Sequence, residues 1–140
     1  MKILWLEDEP ETIDVIRHKL RELGHTILLS QSFNSFSDDL EDIEDCSENI
    51  IIIDIRMVFN VEMSFKCFKK EITIQNSLDS GFEYFNHCLR ERFKDVKIVF
   101  FSSKPKLEAI KDAKKHKINE SWIISKESTT DLIDLIKEMS

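Results

Sequence analysis

A chain of 140 residues with 41% hydrophobic and 34% charged side chains has the size and composition of one compact domain, residues 1–140, which argues against a second folded module and against a disordered or fibrous protein. A net charge of −7 repels nucleic-acid phosphates over most of the surface, so protein or small-ion partners are expected, with no nucleic acid. The apolar run from Ile3 to Leu6 is cut short by Glu7, so neither a charged leader nor a membrane-length stretch is evident, and a cytoplasmic setting without membrane partners is expected.

Residues 2–6 are continuously apolar after Lys2, as suits a strand buried on both faces, and acids and Pro10 end the run. Ile13, Ile16, Leu20 and Leu23 recur at helical spacing, and Gly24 can take the positive φ of a helix C-terminus. Residues 26–30 read as a second strand. Phe33, Phe36, Leu40 and Ile43 mark a second helix with an acidic outer face. Residues 50–55 form the clearest strand, four isoleucines running into Asp54. After a long irregular segment, Phe82, Phe85, Leu89 and Phe93 predict a helix starting near Gly81, followed by a strand over 96–101. Pro105 suits a first helical turn, and Leu107, Ile110 and Ala113 give a thin apolar stripe ahead of a strand over 121–125. Thr129 or Thr130 can cap a final helix carrying Leu132, Leu135, Ile136 and Met139.

Five strands alternating with helices predict a doubly wound α/β fold: a parallel sheet with helices on both faces, because parallel strands need crossover connections. Chemistry is then expected beyond the carboxyl ends of the strands, near the point where strand order reverses. Those ends carry Glu7, Asp8 and Glu9 on the first strand, Asp54 on the third, Ser102 and Ser103 on the fourth, and Lys126 on the fifth. Crowded carboxylates repel unless a cation neutralises them, and a hard divalent ion, best Mg²⁺, suits an oxygen donor set. Each group also has a plainer explanation: the acids could complement a helix dipole, Ser102 or Ser103 could be an N-cap, and Lys126 could be a surface lysine. Asp54 resists that treatment, since an aspartate ending a central strand is costly to leave unpaired.

The runs LEDEP, IIIIDIRM, IVFFSS and WIISK, in this order, resemble the receiver domain of two-component response regulators over nearly the whole chain. The resemblance implies a flavodoxin-like strand order 2-1-3-4-5 and phosphorelay signalling by a phosphoprotein that assists its own phosphorylation and dephosphorylation. It makes Asp54 the phosphoacceptor, with Ser102 and Lys126 contacting the phosphoryl group. Mg²⁺ would be held by Asp8, by Glu7 through water, by Asp54 and by the backbone carbonyl of Arg56. The implied donor is a sensor histidine kinase or phosphotransfer protein. A downstream protein could dock on the face formed by the fourth helix, fifth strand and fifth helix, or on the inserted segment 58–80.

Several features depart from that pattern. Val58 and Glu127 stand where receivers usually have prolines. Ile123 occupies the position of the usual switching aromatic, while Trp122 should point to the opposite face of an alternating strand. The segment 58–80 is about twenty residues longer than usual; Phe59, Phe65, Phe68, Ile72 and Ile74 make it too apolar for a floppy linker, and a short helix or a hairpin around Lys69 and Lys70 is expected, covering the site or meeting a partner. Residues 33–49 hold seven acids and no Lys or Arg, whereas 103–117 hold six lysines and two acids. The plain reading is solvated helix faces, and the other is a basic surface that docks an acidic partner. Arg56 and Lys104 are expected to flank the pocket. Cys46, Cys67 and Cys88 read as reduced thiols, and the four histidines lack metal-site spacing. The alternative function is a pseudo-receiver, a phosphorylation-independent binding or dimerisation module. A Mg²⁺-dependent hydrolase of similar fold is disfavoured by Arg56, which stands where a second catalytic acid would be needed.

Overall fold

The computed structural model describes residues 1–57, 61–75 and 78–139. Among the described residues the strands run β1 (Lys2–Leu6), β2 (Thr26–Ser30), β3 (Asn49–Ile53), β4 (Glu62–Cys67), β5 (Lys70–Gln75), β6 (Lys97–Ser102) and β7 (Ile123–Ser125). The helices are α1 (Asp14–Glu22), α2 (Phe33–Leu40), α3 (Ser80–Tyr84), α4 (Lys106–Lys115) and α5 (Thr129–Met139). Five strands make one parallel sheet in the order β2-β1-β3-β6-β7, while β4 and β5 pair separately as an antiparallel hairpin. With the hairpin set aside, this is the expected 2-1-3-4-5 order.

Side-chain alternation divides the core in two. Leu4, Leu6, Ile51, Ile53, Phe100 and Ile123 belong to the layer shared with α2, α3 and α4, whereas Ile3, Trp5, Ile52, Val99, Phe101 and Ile124 pack with α1 and α5. Each large side chain buried this way contributes roughly 1.5–3 kcal/mol relative to its exposed state. The register pairs Leu6 with both Ser30 and Ile53, Ile53 with Phe100, and Ser102 with Ser125. All five strands therefore finish at one edge.

Several local expectations shift. The turn after Pro10 is 3₁₀ through Ile13 before α1 begins, and Leu23 is exposed at the C-cap instead of extending the apolar stripe. Gly24 does take a φ of +94°, its N–H donating to the Arg21 carbonyl at 2.9 Å. Helix α2 stops at Leu40, so Ile43 packs from the loop beyond it. Pro105 is the N-cap of α4, whose buried stripe is Ala109 and Ala113; Leu107 points to solvent. The predicted last strand opens as a 3₁₀ turn over Glu120–Trp122. That turn breaks the alternation, so Trp122 packs edge-on to Phe85 at 5.7 Å, in the same layer as Ile123 and not on the opposite face.

The inserted segment is a hairpin. Phe65, Cys67, Ile72 and Ile74 alternate inward, and Phe65 lies 5.6 Å from both Phe33 of α2 and Tyr84 of α3, ring centre to ring centre. Its two-residue turn places Phe68 at φ 51° and Lys69 at φ 67°, the left-handed pair that a tight hairpin needs but that Gly or Asn usually supplies. Phe68 is held there by the Arg92 guanidinium, 4.0 Å from the ring centre. The hairpin's inward side chains thus go into the α2 and α3 layer. Val58 and Phe59 lie outside the described residues.

Helix α3 widens into a π-helical turn over Phe85–Leu89, and that segment secures the end of α4. Asn86 and Arg90 donate to the His116 carbonyl at 3.1 and 3.0 Å, and Arg90 also donates to that of Lys117 at 2.7 Å. The terminal carbonyls of α4 thereby gain partners.

Candidate functional site

The acidic pocket is built by extending the ladder one residue past the strands. The Glu7 N–H donates to the Ser30 carbonyl and the Asp54 N–H to the Leu6 carbonyl, both at 3.0 Å, so the two carboxylates emerge together from the centre of the sheet edge. Glu7 has no solvent exposure and Asp54 has 5%. With the half-buried Asp8 they offer three carboxylate oxygens that all lie within 4.8 Å of one another. Lys126 closes the group: its ammonium lies 2.5 Å from Glu7 Oε1 and 3.5 Å from Asp54 Oδ2. The Lys126 N–H donates to the Ser102 carbonyl at 2.8 Å, tying the ends of β6 and β7 to each other.

Three acids around one ammonium leave excess negative charge in a dry site. Burial, reinforced by the charge of Asp54, pushes the Glu7 carboxyl up to about 8. Burial also raises Asp54 against the pull of Lys126. Burial alone would lower Lys126, but the Asp54 and Glu7 carboxylates outweigh it and hold the amine charged. Glu7 therefore keeps a proton at neutral pH unless another positive charge enters. An oxygen-only set of this size and charge suits a small hard cation, so the residues fit a divalent metal ion.

The remaining expected residues fall around this centre. The Arg56 N–H donates to Asp54 Oδ1 at 3.4 Å, which puts its main chain beside the carboxylate while its side chain is exposed. Ser102 is buried at the end of β6, and its Oγ accepts the Lys104 N–H at 3.0 Å; since Pro105 takes the N-cap position, Ser102 and Ser103 do not cap α4. The ammonium of Lys104, in the loop that follows Ser102, is paired with Asp79 Oδ1 at 2.9 Å and with Asp112. His116 Nε2 adds to the same cluster at 3.3 Å from Asp79 Oδ2. On the basic helix, Lys115 lies 3.6 Å from Asp112 and Lys114 3.8 Å from Glu120, so part of its charge is met locally.

Two residues that shape the site were not anticipated in these roles. Ser80 is fully buried; its Oγ accepts the Met57 N–H at 2.9 Å and donates to the Met57 carbonyl at 3.3 Å, clamping the loop that leaves Asp54. Gly81 follows, its N–H bonded to the Ile55 carbonyl. Only the position of Gly81 at a helix start was visible in the sequence, and the contact it makes is long-range.

No protein-family model and no curated protein matches the chain. Solved structures do. A Francisella response-regulator receiver domain superposes with a TM-score of 0.67 at 16% identity, covering 99% of this chain and 94% of that one. A Thermotoga maritima response regulator, solved in complex with Mg²⁺ and BeF, gives 0.64 at 18% identity over 99% and 98%. A Vibrio cholerae chemotaxis protein gives 0.66 at 13% identity over 99% and 98%. At these identities the likeness is one of fold. The chain has the receiver-domain fold of response regulators, with the β4-β5 hairpin inserted.

Proposed function

We propose that this receiver-fold chain accepts a phosphoryl group on Asp54 in a Mg²⁺-dependent reaction and serves in phosphorelay signalling. The observation that carries the reading is the convergence of Glu7, Asp8, Asp54 and Lys126 within one buried pocket at the switch point of the sheet. Asp8, Asp54, the Arg56 carbonyl and, through water, Glu7 are the residues that would hold Mg²⁺. When bound, the ion offsets the charge of the incoming phosphoryl oxygens.

The protein's own groups supply the rest. An Asp54 carboxylate oxygen attacks phosphorus, the bond to the phosphohistidine donor breaks, and the electron pair leaves with the imidazole. Lys126, already 3.5 Å from Asp54 Oδ2, is positioned to follow the negative charge onto the phosphoryl group. Ser102, buried at the end of β6, would donate a hydrogen bond to the same group. The donor would be a sensor histidine kinase or phosphotransfer protein, and the partner surfaces would be the α4-β7-α5 face or the hairpin.

Borohydride reduction of the acyl phosphate formed from a small phosphoryl donor, followed by peptide mapping, tests the assignment. Reduction confined to Asp54 is the expected result, and reduction at another carboxylate would overturn it.

A further inference from the structure

Outside the acidic pocket, the second concentration of reactive groups lies between the hairpin and the helical segment that begins at Ser80. Cys67 ends β4 and Cys88 sits in the π-helical turn; both are buried, and the two thiols are within hydrogen-bonding reach of each other. Two hydroxyls complete the group. Ser37 of α2 donates to the Phe33 carbonyl at 2.7 Å, so the 2.7 Å contact between Ser37 and Tyr84 leaves the Tyr84 hydroxyl as its donor. Both hydroxyls also contact Cys67.

This group is not sealed. Cys67 and Cys88 both line a cavity of about 340 Å³, whose wall also carries Lys70, His87 and Arg92. A small polar molecule can therefore approach the two cysteines through a polar mouth that carries Lys70, Arg92 and Glu91. The hydrogen bond from Cys88 brings the Cys67 thiol down to about 7, overcoming burial, while Cys88 itself is raised. Two thiols within reach of each other on one cavity wall are the arrangement in which an attacking sulfur and a resolving sulfur are already paired.

We propose that Cys67 and Cys88 are an oxidation site for hydrogen peroxide, closing to a disulfide that fastens the hairpin to the helical segment beginning at Ser80 and that a dithiol reductant reopens. The Cys67 thiolate attacks the peroxide oxygen, the O–O bond breaks, and hydroxide leaves to become water, giving a sulfenic acid. The Cys88 sulfur then attacks the Cys67 sulfur, loses its proton and expels a second water as the S–S bond forms. Two thiols are oxidised and one hydrogen peroxide is reduced to two waters. The inference is independent of phosphorylation at Asp54.

The test treats the reduced full-length chain with hydrogen peroxide at neutral pH, alkylates the remaining thiols under denaturing conditions, and maps the peptides. Cys46 is the internal control, because it is the most exposed of the three. Cys67 and Cys88 should lose alkylation together, at least about tenfold faster than Cys46, and reappear as one cross-linked peptide that dithiothreitol releases. Cys88→Ser should instead trap the sulfenic acid on Cys67 as a dimedone adduct. Oxidation of Cys46 first, or oxidation of Cys67 without a cross-link to Cys88 in the unmutated chain, would overturn the proposal; neither result depends on a variant folding.

Discussion

The Gly81 N–H donates to the Ile55 carbonyl at 2.6 Å, so the first turn of α3 presses directly on the main chain that leaves Asp54. A Cβ at this position would come within 2.9 Å of Ile55 Cα and closer still to the Asp54 carbonyl oxygen. Main-chain atoms cannot rotate away as a side-chain tip can. Gly81→Ala should therefore cost about 2–4 kcal/mol in urea unfolding and weaken divalent-ion binding, because relief requires the Asp54 loop to move. An alanine variant with unchanged stability would mean that the close approach is not maintained in solution.

Glu7 carries the clearest pH signature. Its folded-state carboxyl is raised to about 8 from an ordinary 4.5, so the folded protein holds a proton that the unfolded chain gives up. Stability of the metal-free protein should then be highest below 4.5 as far as this group is concerned, and should fall as pH rises from there to about 8. Glu7→Gln removes the charge and should stabilise the metal-free protein at pH above 8 by about 1–3 kcal/mol, while lowering Mg²⁺ affinity. Denaturation curves at several pH values, with and without Mg²⁺, would check both effects. A loss of stability in Glu7→Gln at high pH would contradict the burial argument.

Lys104 holds the start of the β6-α4 connection by pairing with Asp79 and Asp112, all three largely shielded from water. Burial alone would lower the amine, but Asp112 and Asp79 outweigh it, and Lys104 in turn holds Asp112 below the usual carboxylate range. Replacing Lys104 with Met keeps the stem but removes the cation that Asp79 and Asp112 share, leaving them His116 and Lys115, which should cost about 1–3 kcal/mol and speed amide exchange over residues 103–106. Unchanged exchange would show that the cluster does not restrain the loop that follows Ser102.

The hairpin should behave as core and not as an appendage. Phe65→Ala removes a ring packed against Phe33 and Tyr84, and should destabilise the whole domain by about 3–5 kcal/mol in a single unfolding transition. Limited proteolysis gives the complementary result: residues 61–75 should resist cleavage until the domain unfolds. Early cutting there without loss of fold would separate the hairpin from the core.

The central architecture was legible because buried parallel strands must be continuously apolar, and the runs ending at Leu6, Asp54 and Ser102 carry that signature openly. The strand-end rule then located Glu7, Asp8, Asp54 and Lys126 without any knowledge of their distances. The hairpin was only half legible: the alternation of Phe65 with Cys67 and of Ile72 with Ile74 was present, but its turn uses Phe68 and Lys69 where Gly or Asn would have announced it. The π-helical turn changes the period that a 3.6-residue pattern assumes, and the 3₁₀ turn before β7 moved Trp122 to the other layer. Ser80 with Met57 and Lys104 with Asp79 are separated by more than twenty residues. No local pattern encodes such pairs.

The most direct test is the intact mass of the unmutated protein and of Asp54→Asn after incubation with a small phosphoryl donor, with and without Mg²⁺. One added phosphoryl group, dependent on Mg²⁺ and absent from Asp54→Asn, is the predicted result. No addition to a folded, Mg²⁺-loaded chain, or equal addition to the asparagine variant, would contradict Asp54 as phosphoacceptor and leave a receiver fold used for binding alone.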